Sequence, residues 1–209
     1  MELDLALEAT QWTRSPSELE ALLTEETWTQ RLAQWISAIR SDLALICPQP
    51  VRQAEGISLS LRFIDDAEIC KLNQSWRQKA EPTDVLSFAA LEETVHEGTV
   101  HEGRMPWIEG EPVELGDIVV SIETAWRQAT EQDHSLDQEL AWLVSHGLLH
   151  LLGWDHPDEL CLNRMLCQQD TLLRMVELKN PGNVCLQGER PLESERKPDA
   201  NRHSPPTTC

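Results

Sequence analysis

Four short stretches of the chain have the apolar or alternating pattern that is typical of β-strands. From Glu2 to Glu8 every second residue is a leucine, and Ile57 to Ile64 alternates in the same way. The stretches from Asp84 to Ala89 and from Leu115 to Ser121 are compact and apolar. We predict a strand at each of the four.

The segments between and after these strands carry apolar residues at helical spacing. Thr24 is the predicted N-cap of a long amphipathic helix that ends before Pro48. Its apolar stripe consists of Trp28, Leu32, Trp35, Ile36, Ile39 and Leu43. A capping box at Asp65 to Glu68 predicts a shorter helix, and two more are predicted over Ile122 to Gln132 and Pro157 to Leu178. The apolar face of the shorter helix is formed by Ile69, Leu72 and Trp76.

Ser135 and Gln138 together cap a further helix, which is apolar nearly all round. A helix of that kind is predicted to be the buried centre of the fold. The stretch from Leu91 to Pro112 has no periodicity and predicts a loop, and the composition becomes polar after Lys179. We therefore predict one folded domain, residues 1–179, followed by a disordered tail, residues 180–209.

The chain is strongly acidic, with a net charge of −19 and a pI of about 4.6. Such a surface repels phosphate, so binding to nucleic acid would need a local basic cleft or a partner that presents the substrate. The sequence contains no run of eighteen apolar residues and no stretch that resembles a signal peptide. We expect a cytoplasmic protein with no membrane span.

The most informative stretch is Ser145 to His156, which reads S-H-G-L-L-H-L-L-G-W-D-H. On a helix, His146 and His150 stand about 40° apart around the axis and about 6 Å apart along it, so both imidazoles leave one face. Gly153 can end the helix and let the chain turn His156 back to the same point. Three histidines with no fourth protein ligand form the usual catalytic zinc site, with one position left for water or substrate.

The same spacing occurs in zinc proteases of the pattern H-E-x-x-H-x-x-G-x-x-H, in which a glutamate follows the first histidine and acts as general base. Here that position is Gly147. The motif can still bind a metal but lacks the base that peptide hydrolysis requires.

A second cluster of polar residues lies between Leu72 and Phe88, where Arg77 and Lys79 precede a Pro-Thr-Asp turn. Cations at a helix end followed by a turn are common for structural reasons alone. If the turn lies over the metal, however, the planar guanidinium of Arg77 is suited to phosphate.

Three segments, in order, resemble the motifs of the YbeY family of bacterial endoribonucleases that mature ribosomal RNA. His146 to His156 is similar to the family signature, Leu72 to Phe88 to its second motif, and Leu115 to Ser121 to its third. The similarity spans roughly Leu3 to Leu178, and the loop at 91–112 and the tail lie outside it.

The resemblance implies an α+β fold with a mixed sheet of about four strands flanked by helices and a metal site on the buried central helix. It implies one zinc ion per chain, bound by His146, His150 and His156, with Arg77 in the active cleft. It also implies single-strand-specific cleavage in maturation of the 3′ end of the small-subunit ribosomal RNA and a role in ribosome quality control. The expected partners are single-stranded RNA and the small ribosomal subunit or its associated proteins.

Two alternatives remain open at this point. A metzincin-like metalloprotease fits the histidine spacing, and a non-catalytic, zinc-containing ribosome assembly factor fits the acidic charge. The general base is not assigned, since Asp155 could equally orient a histidine. Water and the RNA 2′-hydroxyl both remain possible nucleophiles.

Overall fold

The computed structural model describes residues 1–10, 17–91 and 112–178. The interior of the loop predicted at 91–112 and the whole of the tail predicted at 180–209 lie outside these residues. Among the described helices, none is both long and apolar enough to cross a membrane.

The strands form one mixed sheet, as predicted. They are β1 (Glu2–Ala9), β2 (Gly56–Ile64), β3 (Val85–Ala89) and β4 (Val113–Ser121). The order across the sheet is β1-β2-β4-β3, in which β2 pairs in parallel with both β1 and β4, while β3 pairs antiparallel to β4. Strand β3, which follows the Pro-Thr-Asp turn, is therefore an edge strand.

Seven helices are described within the three ranges. They are α1 (Ser17–Leu22), α2 (Glu25–Ser41), α3 (Gln49–Gln53), α4 (Asp66–Arg77), α5 (Ile122–Glu131), α6 (Leu136–Leu151) and α7 (Glu159–Met175). The sequence pattern predicted five of them and missed α1 and α3, which have 6 and 5 residues. With one turn or little more each, they are too short to show periodicity. The expected α+β class is confirmed.

Helix α2 begins where the sequence predicts, because the Thr24 hydroxyl accepts a hydrogen bond from the Thr27 backbone N–H at 3.3 Å. The prediction that Leu43 belongs to its buried stripe was wrong, since Leu43 is 86% exposed. The helix ends before it because the Asp42 carboxylate accepts a hydrogen bond from the Ala44 backbone N–H at 2.9 Å. A side chain bonded to the nearby backbone in this way competes with the helical pattern.

The two faces of the sheet are covered differently. Helices α2 and α6 cover one face, and α7 packs against both of them and shares the main hydrophobic core. Helix α4 covers the other face through a small cluster around Ile69, with Leu72 and Phe88 packed against it. Trp76, predicted to lie on the buried face of α4, is instead 69% exposed at the rim of this cluster. The small cluster ends before the last turn of α4, and there the indole packs against the ring of Phe88.

Helix α6 is the buried centre of the fold, as predicted. Its capping box is complete: the Ser135 hydroxyl accepts from the Gln138 backbone N–H at 3.2 Å, and the Gln138 side chain accepts from the Ser135 backbone N–H at 3.1 Å. Leu140, Leu148 and Leu149 are fully buried, and burial of each such side chain contributes roughly 1.5–3 kcal/mol. The helix is thereby fixed against the sheet, with its C-terminal turns carrying the histidines.

Candidate metal centre

The last turns of α6 bring two imidazole rings together. The ring centroids of His146 and His150 are 4.6 Å apart, and their Nε2 atoms are separated by 3.1 Å. This follows from their spacing of four residues, which places both side chains on one face of the helix.

The turn after α6 adds the third ring. Gly153 has a φ of +86°, and its backbone N–H donates to the His150 carbonyl at 2.9 Å. A left-handed residue directly after the helix reverses the chain direction. Trp154 holds the reversed chain in place, because its buried indole N–H donates to the Ile46 carbonyl at 2.9 Å. His156 then lies with its ring centroid 5.5 Å from that of His146 and 5.2 Å from that of His150.

The spacing of the donor atoms fits a single metal ion. One nitrogen from each of His146, His150 and His156 can be chosen so that all three lie within 4.8 Å of one another. A tetrahedral zinc ion binds imidazole nitrogens at about 2.0–2.1 Å, which places two donor atoms about 3.3 Å apart. The separation of 3.1 Å between the Nε2 atoms of His146 and His150 is close to that value. The cluster could therefore hold a metal ion.

The surroundings of His146 keep its ring neutral and fix its tautomer. Burial, followed by the charge of neighbouring His150, lowers the pKa of His146 from 6.5 to about 4. Its Nδ1 atom lies 3.2 Å from the side-chain oxygen of Gln169, a fully buried residue of α7. Since an amide oxygen can only accept, Nδ1 carries the proton and the lone pair of Nε2 faces the cluster. Gln169 is held in turn, because its amide N–H donates to the Trp142 carbonyl at 3.2 Å.

The pKa of His150 is affected by Arg77, which belongs to the Leu72–Phe88 motif. Burial lowers the pKa of His150, the charge of His156 lowers it further, and Arg77 acts in the same direction. A backbone hydrogen bond with Trp154 and the charge of Asp155 oppose these effects. Arg77, an exposed residue at the end of α4, is thus close enough to His150 for its charge to act on the ring.

The loop between Arg77 and β3 has a defined conformation. Gln78 adopts a left-handed conformation with a φ of +60° and ends α4. Asn73 ties the loop to the helix, since its amide donates to the Glu81 carbonyl at 2.8 Å. Asp84 closes the loop by accepting from the Val85 backbone N–H at 2.8 Å and from the Gln128 amide at 3.1 Å. Because its negative charge raises the pKa of His146, Asp84 also lies near the cluster.

Gly147 faces the sheet rather than the imidazole cluster. A Cβ atom at this position would lie 2.9 Å from Cγ2 of Ile118 and 2.9 Å from Oγ of Ser87. Any larger residue here would force Ile118 or Ser87 to move. A glutamate at the position where the zinc proteases carry theirs would displace Ile118 and Ser87, which argues against the metalloprotease alternative.

Two residues of this site were not identified from the sequence. Gln169 contacts His146 from a different helix, 23 positions away, and no local pattern indicates such a contact. Asp84 belongs to the Pro-Thr-Asp turn, where its spacing predicts only turn chemistry. The structure places Arg77 within electrostatic range of His150, while the roles of Arg77 and the three histidines stay predictions.

Comparison with known proteins agrees with the motif resemblance. A family profile described as Endoribonuclease YbeY matches residues 20–177. A protein from Synechococcus sp. strain CC9605, named Endoribonuclease YbeY, is 57% identical over 173 residues, which cover 83% of this chain and 98% of the relative. A protein of the same name from Synechococcus sp. strain CC9902 is 52% identical over 196 residues, which cover 93% of this chain and 100% of the relative.

A solution structure of a protein from Thermotoga maritima also aligns with 89% of this chain and 99% of its own, at 19% identity and a TM-score of 0.47. The family assignment depends on the profile and the two Synechococcus relatives, both of which are covered almost completely. This chain belongs to the endoribonuclease YbeY family.

Proposed function

We propose that this protein is a metal-dependent, single-strand-specific endoribonuclease that matures the 3′ end of the small-subunit ribosomal RNA and takes part in ribosome quality control. The names of its Synechococcus relatives support RNA as the substrate. The observation that carries the proposal is the cluster of three imidazoles, with two Nε2 atoms 3.1 Å apart, and an arginine, Arg77, whose charge acts on His150. The proposed location is the cytoplasm, with the small ribosomal subunit or its associated proteins as partners.

We propose one zinc ion per chain, bound by His146, His150 and His156. Three neutral nitrogen donors with no protein thiolate are typical of catalytic rather than structural zinc sites. Bound there, zinc would supply Lewis acidity toward the RNA phosphodiester. Gln169 holds the proton on Nδ1 of His146, which leaves the lone pair of Nε2 free to bind an ion.

Arg77 is the proposed residue that offsets negative charge developing at phosphorus. Its guanidinium stays charged at any relevant pH and offers paired N–H donors that match phosphate oxygens. Among the described residues it has no ion-pair partner, unlike Arg31, Arg62, Arg127 and Arg174. Phosphoryl transfer depends mainly on positioning and charge stabilisation, so the chain does not need the glutamate that Gly147 replaces.

Metal analysis combined with cleavage of a labelled single-stranded RNA tests this proposal. The His150→Ala variant should lose both the metal and the cleavage. The Arg77→Ala variant should keep the metal and lose cleavage by about 10²–10³-fold, the usual effect of removing one charge-stabilising donor. Arg164→Ala, which removes another exposed arginine, is the matched control and should behave like the wild type.

Three results would contradict the proposal. Equal cleavage by wild type and His150→Ala would identify a contaminating nuclease. Tight metal binding without RNA cleavage would favour the non-catalytic assembly factor. Peptide cleavage that disappears in His150→Ala would revive the metalloprotease.

A further inference from the structure

The last turn of α4 carries an unusually exposed aromatic side chain. Trp76 is 69% exposed, although tryptophan is among the side chains that gain most from burial. Its ring meets that of half-buried Phe88 edge-on, with the centroids 5.5 Å apart. Phe88 supports one side of the indole and leaves the remainder open to solvent.

A groove of about 320 Å³ adjoins this pair on the α4 face of the sheet. It is lined by Arg62, Leu72, Trp76, Phe88, Asp117 and Val119. The volume is at the lower limit of ligand pockets, enough for one flat ring system but not for a bulky ligand. The walls are mainly apolar or aromatic.

The end of α4 is positively charged, whereas the groove is not. Residues 71–79 contain Lys71, Arg77 and Lys79 and no carboxylate, in a chain that has 17 basic and 36 acidic residues. Inside the groove the positive charge of Arg62 is neutralised by its ion pairs with Glu8 and Glu68. The exposed carboxylate of Asp117 therefore leaves the groove negatively charged. A phosphate is therefore attracted to the end of α4 and repelled from the groove.

We propose that Trp76, supported by Phe88, is a stacking subsite for one base of single-stranded RNA, next to the phosphate bound at Arg77. This inference rests on the proposed endoribonuclease function. Trp76 and Arg77 are consecutive residues of α4, and their side chains leave the helix about 100° apart. A base on Trp76 and a phosphate on Arg77 therefore belong to one short stretch of the same strand. The Asp117 carboxylate adds an acceptor for the exocyclic amino group of the stacked base.

If a base stacks on Trp76, the Trp76→Ala substitution should lower the affinity for RNA by a predictable amount. Removal of one base–aromatic stack lowers affinity by about 5- to 150-fold and depends little on sequence, because every base has a π-face. It does not change the number of phosphate contacts. The salt dependence of binding should therefore stay the same in Trp76→Ala, whereas Arg77→Ala should reduce the salt slope.

The test measures binding of a labelled single-stranded oligoadenylate by fluorescence anisotropy at several salt concentrations, together with cleavage kinetics. Trp76→Ala should raise Kd and KM by about fivefold or more at every salt concentration, with kcat close to that of the wild type. Trp76→Phe keeps an aromatic face and should restore most of the affinity. Trp126→Ala removes another exposed tryptophan, 45% exposed on α5, and should have no effect.

The outcomes distinguish the subsite from the function on which it rests. If the wild type cleaves RNA and Trp76→Ala keeps its Kd and KM, the stacking subsite is refuted while the endoribonuclease proposal survives, and the groove is then a candidate protein-docking face. If Trp76→Phe binds as weakly as Trp76→Ala, stacking is refuted as well. If the wild type neither binds nor cleaves RNA, both proposals fail together.

Discussion

Replacement of Gln169 by leucine tests whether this residue of α7 orients the His146 ring for metal binding. The change keeps the approximate size of a fully buried side chain and removes the oxygen 3.2 Å from Nδ1 of His146. The Trp142 carbonyl loses the Gln169 donor but keeps the Ser145 hydroxyl at 2.9 Å. The Nδ1–H of His146 is therefore the group that the substitution leaves without a partner.

The expected magnitude follows from the two tautomers. Without metal, the His146 ring can move its proton to Nε2 and donate to Nε2 of His150, 3.1 Å away, so the metal-free variant avoids most of the penalty. Metal binding requires the lone pair of Nε2 and returns the proton to Nδ1, where a buried donor without a partner costs about 1–3 kcal/mol. We expect metal affinity to fall by about 10- to 100-fold, with a much smaller change in the stability of the metal-free protein.

The assay is competition for Zn²⁺ between the protein and a chromophoric chelator, with urea unfolding of the metal-free protein as the companion measurement. Gln168→Leu makes the same change one position earlier and is the matched control. Gln169→Glu retains an acceptor and should bind zinc at least as tightly as the wild type. Unchanged zinc affinity in Gln169→Leu would show that the contact with His146 does not orient the ring for metal.

Two further predictions concern stability. Gly147→Ala gains about 1 kcal/mol of helix propensity but places a methyl group 2.9 Å from Ile118 and Ser87, which costs about 1–3 kcal/mol. Urea unfolding should show a net loss of about 1 kcal/mol, and a stabilised variant would contradict the close packing. The pKa of His146 is about 4 in the folded protein and 6.5 in the unfolded chain, so the unfolded chain binds a proton at this residue more readily. The stability of the metal-free protein should therefore fall as the pH falls from 6.5 to 4. The loss approaches about 3 kcal/mol, and unfolding curves of His146→Gln should lack that part of the pH dependence if the reasoning holds.

Features encoded by neighbouring residues could be predicted from the sequence. The capping box at Ser135 and the spacing of His146 and His150 follow from the geometry of a single helix. The four strands followed from local alternation and composition. Gln169 could not be found in this way, because its contact depends on how α7 packs against α6. The exposure of Trp76 likewise depends on where the small cluster beneath α4 ends, which periodicity does not reveal.

The proposed ligands are separated by only three and five intervening residues along the chain. An ion bound to them would close two very small loops and link no distant segments, so the arrangement of the sheet and helices does not depend on it. The hydrophobic core holds these elements together. Chelation should thus loosen the turn at Gly153 and leave the domain folded, so that occupancy can follow the supply of metal in the cell without exposing the chain to proteolysis.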